Sequence, residues 1–301
     1  MNITRFAPSP TGRLHLGHAF SAVLGHRAAW ESGGRFLLRI EDLDEGRSRT
    51  EFVEGIFADL RWLGLEWQEP VIVQSERTAA YEGALDQLRT RNLVYACFCT
   101  RADIAQSLTA PHGDAATSYP GTCRALPDDP NRRATTPHCW RLDSAKALKI
   151  IEPSTWTEAD ERIFTADVSQ IDDAILARKD APASYHLACV VDDAAKRKDA
   201  PASYHLACVV DDAASQVSLV VRGADLRPST PIQRLLQQLL GLHEPRYLHH
   251  RLVTHEDGRR LAKRDLAPTL AAMRESGIDG EGLAARLSRG ELPLGFAFSD
   301  E

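Results

Sequence analysis

No apolar run in this chain of 301 residues approaches the roughly 18 residues needed to span a bilayer. The start, Met1-Asn2-Ile3-Thr4-Arg5, has no apolar signal core either, so no membrane association is expected and a cytoplasmic location follows. Cysteine is scarce: six residues are too few for a disulfide framework in so long a chain. Positive charge is not in excess, since Lys and Arg number 36 against 42 Asp and Glu, a net charge of −6. That balance excludes a protein coated in basic surface and confines any nucleic-acid contact to local patches. What is present, 43% hydrophobic and 26% charged residues, is an ordinary globular composition with room for a full core and about two domains.

Residues 2–7 read as a short strand, followed by a Pro-Ser-Pro-Thr-Gly loop, a helix from about His15 to Trp30 ending near Gly33-Gly34, and a second strand over Arg35 to Ile40. Strand, phosphate-type loop, helix and strand open a parallel α/β sheet. Phe52, Ile56 and Leu60, and again Tyr81, Leu85 and Leu88, recur at helical spacing as core stripes. From Tyr95 to Pro153 the texture changes to cysteines and an irregular Pro127-Asp128-Asp129-Pro130-Asn131 stretch, which fits an insertion between two halves of a sheet domain. Patterning resumes around Ile163 to Ile175 and in the buried-strand run Val217 to Val221. Ser229 to Leu240 reads as a helix capped by Ser229 or Thr230, with Pro231 in its first turn. The tail from Leu266 to Arg289 reads as two short helices joined at residues 277–280.

Residues 178–195, from Arg178 to Ala195, recur identically at 197–214. A period of 19 with no third copy is not a solenoid, which needs about three units to bury a continuous core. It is a local tandem duplication, of the gene or of its record, and one fold position cannot hold both copies.

Three groups carry chemistry. In His15-Leu16-Gly17-His18, two imidazoles flank a glycine at a helix start. This suits a nucleotide whose phosphates lie where the helix dipole and unpaired N–H groups favour negative charge. The glycine removes a Cβ that would hold an adenine or ribose off the backbone. Leu261-Ala262-Lys263-Arg264 follows a Glu256-Asp257-Gly258 turn, a basic loop suited to a departing pyrophosphate. Cys97, Cys99 and Cys123 lie close in sequence, and soft thiolates suit zinc; His138 and Cys139 offer an alternative ligand pair.

In order, Arg5 to Gly12, His15 to His18, Arg39-Ile40-Glu41-Asp42-Leu43-Asp44, Val221-Arg222-Gly223-Ala224-Asp225-Leu226 and the Lys263 loop closely resemble the glutamyl-tRNA synthetase family of class I synthetases. The resemblance covers most of residues 3–265. It implies an α/β, Rossmann-type class I aminoacyl-tRNA synthetase catalytic domain with a zinc-containing insertion and a short helical C-terminal tail. The expected division is residues 1–94 and 163–250 as the two catalytic halves, 95–162 as the zinc-binding insertion and 251–301 as the Lys loop and helical subdomain. The implied activity is that of a ligase which uses ATP with Mg2+ to make glutamyl-adenylate.

Within the resemblance, Arg5 and Arg222 are the expected grips on the carboxylates of glutamate, since guanidinium groups hold carboxylates bidentately. Glu41 receives the ammonium with help from Ser9 and the Ala7 backbone, and Phe6 and Pro8 complete the glutamate-binding motif. Tyr204, or its duplicate Tyr185, walls the pocket; Tyr204 is preferred because a turn at residues 211–214 leads directly into Val217 to Val221. His15, Gly17, His18 and Lys263 are the implied ATP-binding residues. His15 and His18 stabilise the α-phosphate and Lys263 holds the pyrophosphate.

Cys97, Cys99, Tyr119 and Cys123 match the zinc ligands of truncated members of the family, which attach glutamate to the queuosine base of tRNA(Asp). Only about 37 residues follow Arg264, which is too few for the helical domain that reads an anticodon in full-length enzymes. The implied partners are L-glutamate, ATP and the anticodon stem-loop of queuosine-containing tRNA(Asp), with a monomeric chain and no membrane. Charging of tRNA(Glu), or a catalytically impaired glutamate-binding module, are the alternatives. Arg260-Leu261-Ala262-Lys263 departs from the usual Lys-Leu-Ser-Lys, and loss of the hydroxyl predicts slower adenylation.

Overall fold

β1 (Ile3–Phe6) and β2 (Arg35–Ile40) are parallel strands connected through α1 (Leu16–Glu31). α2 (Thr50–Trp62) then leads to β3 (Gln68–Val73), parallel on the far side of β2. The apolar runs of β1 and β2 reflect a sheet covered on both faces, with Leu38 and Ile40 almost fully buried. The computed structural model describes residues 1–100, 103–104, 119–151, 154–167, 171–178, 202–261 and 268–299.

α3 (Thr78–Thr90) carries Tyr81, Leu85 and Leu88 into a core, as their spacing predicts. β4 (Val94–Cys97) opens a separate antiparallel sheet. The 127–131 stretch, expected to be irregular, instead contains the start of α4 (Pro130–Thr135), because the Asp129 side chain accepts from the Arg132 N–H and caps it. β5 (Cys139–Leu142) pairs with β4, and α5 (Ser144–Ile150) follows. β6 (Thr155–Thr157) and β7 (Ile163–Thr165) form an antiparallel pair, and β8 (Ile175–Arg178) joins β5 as a third strand of the β4 sheet.

α6 (Ala202–Ala214) is built from the second copy of the repeat. Asp211 to Ala214, expected as a turn, form the end of that helix, because the Ser215 and Gln216 amides still bond back to Asp211 and Ala213. β9 (Leu219–Gly223), α7 (Thr230–Leu239) and β10 (Arg246–His250) follow, with β9 and β10 parallel. Pro231 lies in the first turn of α7 as expected, whereas the Ser229 cap makes no side-chain bond.

The two parallel sets meet where the Ser218 N–H donates to the Ile3 carbonyl at 2.9 Å and the Ile3 N–H donates to Ser218 Oγ at 2.9 Å. The order is therefore β3-β2-β1-β9-β10. The chain switches direction between β1 and β9, and the crevice outside the carboxyl ends of strands at such a point is where doubly wound sheets bind ligands. Phe6 and Arg222 lie at those ends.

β11 (Val253–His255) pairs antiparallel with β12 (Phe296–Phe298), and the two tail helices are α8 (Leu270–Glu275) and α9 (Gly280–Ser288). Met273, Leu283 and Leu287 enter the same core as Leu16 and Phe20 of α1. Among the described residues, no helix is long and apolar enough to cross a membrane.

Candidate active site and metal centre

His15 is the N-cap of α1. Its Nδ1 accepts from the Gly17 N–H at 3.1 Å, and the His15 N–H donates to His18 Nδ1 at 3.1 Å, a reciprocal capping box made by two histidines. The Gly17 amide is thus already used, so the imidazoles rather than that amide are the groups offered to an anion. Because both Nδ1 atoms accept, each ring carries a proton on Nε2, a donor suited to a phosphate oxygen. The rings lie 3.8 Å apart between centroids. A Cβ on Gly17 would meet the His15 ring at 3.1 and 3.2 Å. The glycine therefore makes room for the neighbouring imidazole.

At the carboxyl ends of β1 and β2 the charges are concentrated and buried. Arg5 Nε donates to Asp212 Oδ1 at 3.0 Å, and Arg39 Nη1 donates to the same oxygen at 2.6 Å. Arg39 Nη2 also reaches Glu41 Oε1 at 3.0 Å. Burial raises the Glu41 pKa against the pull of Arg39 and Arg5. Burial acts the same way on Asp212, but Arg5 and Arg39 hold it below the usual carboxylate range. Cys208 Sγ lies 3.6 Å from Glu41 Oε1. Tyr204 and Cys208 stand one helical turn apart on α6. Tyr204 is buried, and burial followed by the nearby Cys208 and Glu41 raises its pKa, with Arg222 and Arg5 opposing.

Arg222 completes the group. Its Nε donates to His249 Nε2 at 3.1 Å, Nη1 to Gln233 Oε1 at 2.7 Å and Nη2 to Thr230 Oγ1 at 2.8 Å. All three partners are neutral, and among the described residues no carboxylate pairs with it. A Cβ on the following Gly223 would meet Asp225 Oδ1 at 2.5 Å and Leu252 Cδ2 at 2.8 Å, so those two side chains would have to shift to admit one.

The expected glutamate-binding residues divide. Arg5, Glu41, Tyr204 and Arg222 are all buried; Arg5, Glu41 and Arg222 each act on the Tyr204 hydroxyl. Phe6 is a core residue. Pro8 accepts the Glu41 N–H at 3.1 Å and Ser9 accepts the Thr11 N–H at 2.9 Å, which fixes the loop carrying Ala7. Lys263 and Tyr185 lie outside the described residues. Sequence reasoning missed Arg39 and Asp212. A lone arginine within Phe36-Leu37-Leu38-Arg39-Ile40 was the available signal, since a charge in a buried strand needs a partner.

At the end of β4 and in the 119–123 segment, the sulfur atoms of Cys97, Cys99 and Cys123 lie within 4.8 Å of one another. The Tyr119 hydroxyl is 3.2 Å from Cys97 Sγ and 3.5 Å from Cys99 Sγ, and it accepts the Cys123 N–H at 3.0 Å. Bonds from the Cys139 side chain, Tyr119 and Arg141 lower the Cys97 pKa, and the Arg141 guanidinium lies 3.9 Å above the Tyr119 ring. Three convergent thiols and a phenol are a donor set that fits a tetrahedral zinc ion. His138 turns instead to the Thr136 carbonyl at 3.1 Å and packs against Phe98 and Trp140.

The family model of the class I tRNA synthetase (E and Q) catalytic domain matches residues 2–197 and again 194–289, so one copy of the repeat falls in each match. The chain is 41% identical over 294 residues to a glutamyl-Q tRNA(Asp) synthetase of Rhodobacter capsulatus, covering 91% of this chain and 95% of that protein. It is 43% identical over 286 residues to the enzyme of the same name from Nocardia farcinica, covering 94% and 83%. Among solved structures, the glutamate-tRNA synthetase of Elizabethkingia anophelis superposes with a TM-score of 0.76 at 25% identity, covering 95% of this chain and 61% of that one. A methionyl-tRNA synthetase of Mycobacterium tuberculosis, at 9% identity and a TM-score of 0.55, shares the fold. The chain belongs to the class I tRNA synthetases for glutamate and glutamine and, within them, to the glutamyl-Q tRNA(Asp) synthetase family.

Proposed function

We propose that this ligase activates L-glutamate with ATP and Mg2+ to glutamyl-adenylate in the absence of tRNA, and transfers the glutamyl group to the queuosine base of tRNA(Asp). One observation carries the first half: Arg5 and Arg39 are paired directly with Asp212 and Glu41, whereas buried Arg222 touches only the neutral acceptors His249, Gln233 and Thr230 and has no carboxylate in direct contact among the described residues. A buried charge without a counterion is costly, and glutamate, with two carboxylates and one ammonium, supplies the missing negative charge. Arg222 uses three of its five N–H donors on protein acceptors, which leaves two for a bidentate carboxylate. Glu41 is the acceptor for the ammonium, and the Tyr204 hydroxyl bonds the substrate beside it.

In the reaction the α-carboxylate oxygen attacks the α-phosphorus, and the bond to the leaving pyrophosphate breaks. His15 and His18 donate from Nε2 to the phosphate oxygens that gain charge, while Lys263 holds the pyrophosphate. Catalysis is positioning and electrostatic stabilisation with no covalent enzyme intermediate. Zinc, bound by Cys97, Cys99, Tyr119 and Cys123, would tie the end of β4 to the 119–123 segment as a closed structural site. The names of the relatives support queuosine tRNA(Asp) as the acceptor. Glutamate-dependent exchange of pyrophosphate into ATP without tRNA tests the activation step: exchange is expected, and a strict tRNA requirement would point to the tRNA(Glu)-charging alternative.

A further inference from the structure

Behind Arg222 stands a buried acid and base that the motifs do not include. His249 of β10 is the direct register partner of Arg222 on β9, so the two side chains share one face of the sheet. The imidazole is fully enclosed, and its Nδ1 lies 2.7 Å from Glu158 Oε1. Glu158 follows β6, bridges to Tyr247 of β10, and also accepts from Trp156 Nε1 at 3.1 Å and from the His249 N–H at 3.3 Å. A carboxylate held by these donors can only accept, so His249 carries its proton on Nδ1. Nε2 is then left as the acceptor for Arg222 Nε at 3.1 Å.

We propose that Glu158 and His249 are positioning residues that orient Arg222 toward the substrate carboxylate while keeping Glu158 from neutralising it. The inference rests on the reading that Arg222 grips glutamate. Direct contact with Glu158 would give Arg222 a permanent anionic partner in competition with the substrate. The intervening neutral ring transmits the orientation and separates the charges, as outer hydrogen-bonding partners do for other binding groups. With Thr230 and Gln233 on the other two nitrogens, the guanidinium is held on three sides by acceptors that carry no charge.

The test is pyrophosphate exchange with the full chain, with KM measured separately for glutamate and for ATP. H249F keeps a flat ring but no acceptor; it should raise the glutamate KM about tenfold, the effect of losing one bond to a charged group, and move the ATP KM less than about twofold. H249Q retains an oxygen acceptor and should recover most of the affinity, and Glu158→Leu should behave as H249F. Equal rises in both KM values, or no rise, in folded variants would overturn the proposal. Should H249F or Glu158→Leu not fold, 15N spectra of wild-type His249 decide: an Nδ1–H tautomer is expected, and an Nε2–H tautomer overturns the inference. An unchanged glutamate KM in Arg222→Gln would instead remove the underlying reading. A rise in Arg222→Gln without one in H249F would remove only the positioning role.

Discussion

Arg5 donates through Nε to Asp212 at 3.0 Å, joining the first strand to a helix 207 residues later. Arg39 donates to the same oxygen, so one carboxylate holds two buried cations at the switch point of the sheet. Asp212→Asn should therefore destabilise the fold by about 3–5 kcal/mol, the cost of leaving buried charges uncompensated. Urea unfolding of wild type and variant measures it, and a change below about 1 kcal/mol, the range of an exposed pair, would contradict a buried pair.

The duplication gives a paired experiment. Tyr204, on α6 with Cys208, interacts with Glu41, so Tyr204→Phe should impair glutamate activation and Tyr185→Phe should not. Deleting residues 179–197 leaves one uninterrupted copy and should preserve both folding and pyrophosphate exchange. If Tyr185→Phe alone is inactivating, the other copy serves the site.

Gly17→Ala tests the histidine cap. The added methyl would press on the His15 ring at 3.1 to 3.2 Å. A displacement of a few tenths of an ångström at a reacting group predicts about a tenfold fall in kcat, while helix propensity favours alanine. A lower kcat with an unchanged or raised Tm is expected; a fall in Tm with kcat intact would contradict it.

Acid should destabilise the fold through two histidines. Burial, with Arg222 adding to it, lowers His205 to about 3; burial lowers His249 to about 4 despite Glu158. Both bind protons more readily when unfolded, so their contribution to stability is present above about pH 6.5 and is lost as pH falls toward about 4 for His249 and about 3 for His205. Each steepens the loss by up to about 1.4 kcal/mol per pH unit. H249Q should flatten the slope of stability between pH 6.5 and 4, and an unchanged slope would count against a neutral His249.

Metal analysis of purified protein should find one zinc per chain, bound by three thiolates and a phenolate. Cys97→Ser, Cys99→Ser or Cys123→Ser should each lower the zinc content and the Tm. Cys139→Ser should leave zinc in place, since the Cys139 side chain bonds to Cys97 but is not one of the three mutually converging thiols.

The parallel order of β1, α1 and β2 was legible because a helix period followed an apolar strand and a loop rich in proline and glycine. The same held for α7 and the tail helices. The pairing of β8 with β5 was not legible, since a non-local antiparallel partner leaves no local signal. Asp211 and Asp212 looked like a turn because Asp is a turn residue. In α6 they serve different neighbours: Asp211 accepts from Gln74, Arg77 and Tyr81, and Asp212 accepts from Arg5 and Arg39. The motif residues Arg5, Glu41 and Arg222 were legible as candidates, while Glu158 and His249 behind Arg222 belong to no motif and emerge only from the strand register.

The most direct measurement is the attachment point of labelled glutamate after incubation with ATP and queuosine-containing tRNA(Asp). Nuclease fragments should carry the label on the anticodon-loop piece that holds queuosine, with none at the 3′ end. Label at the 3′-terminal ribose, or on tRNA(Glu) alone, would contradict the account.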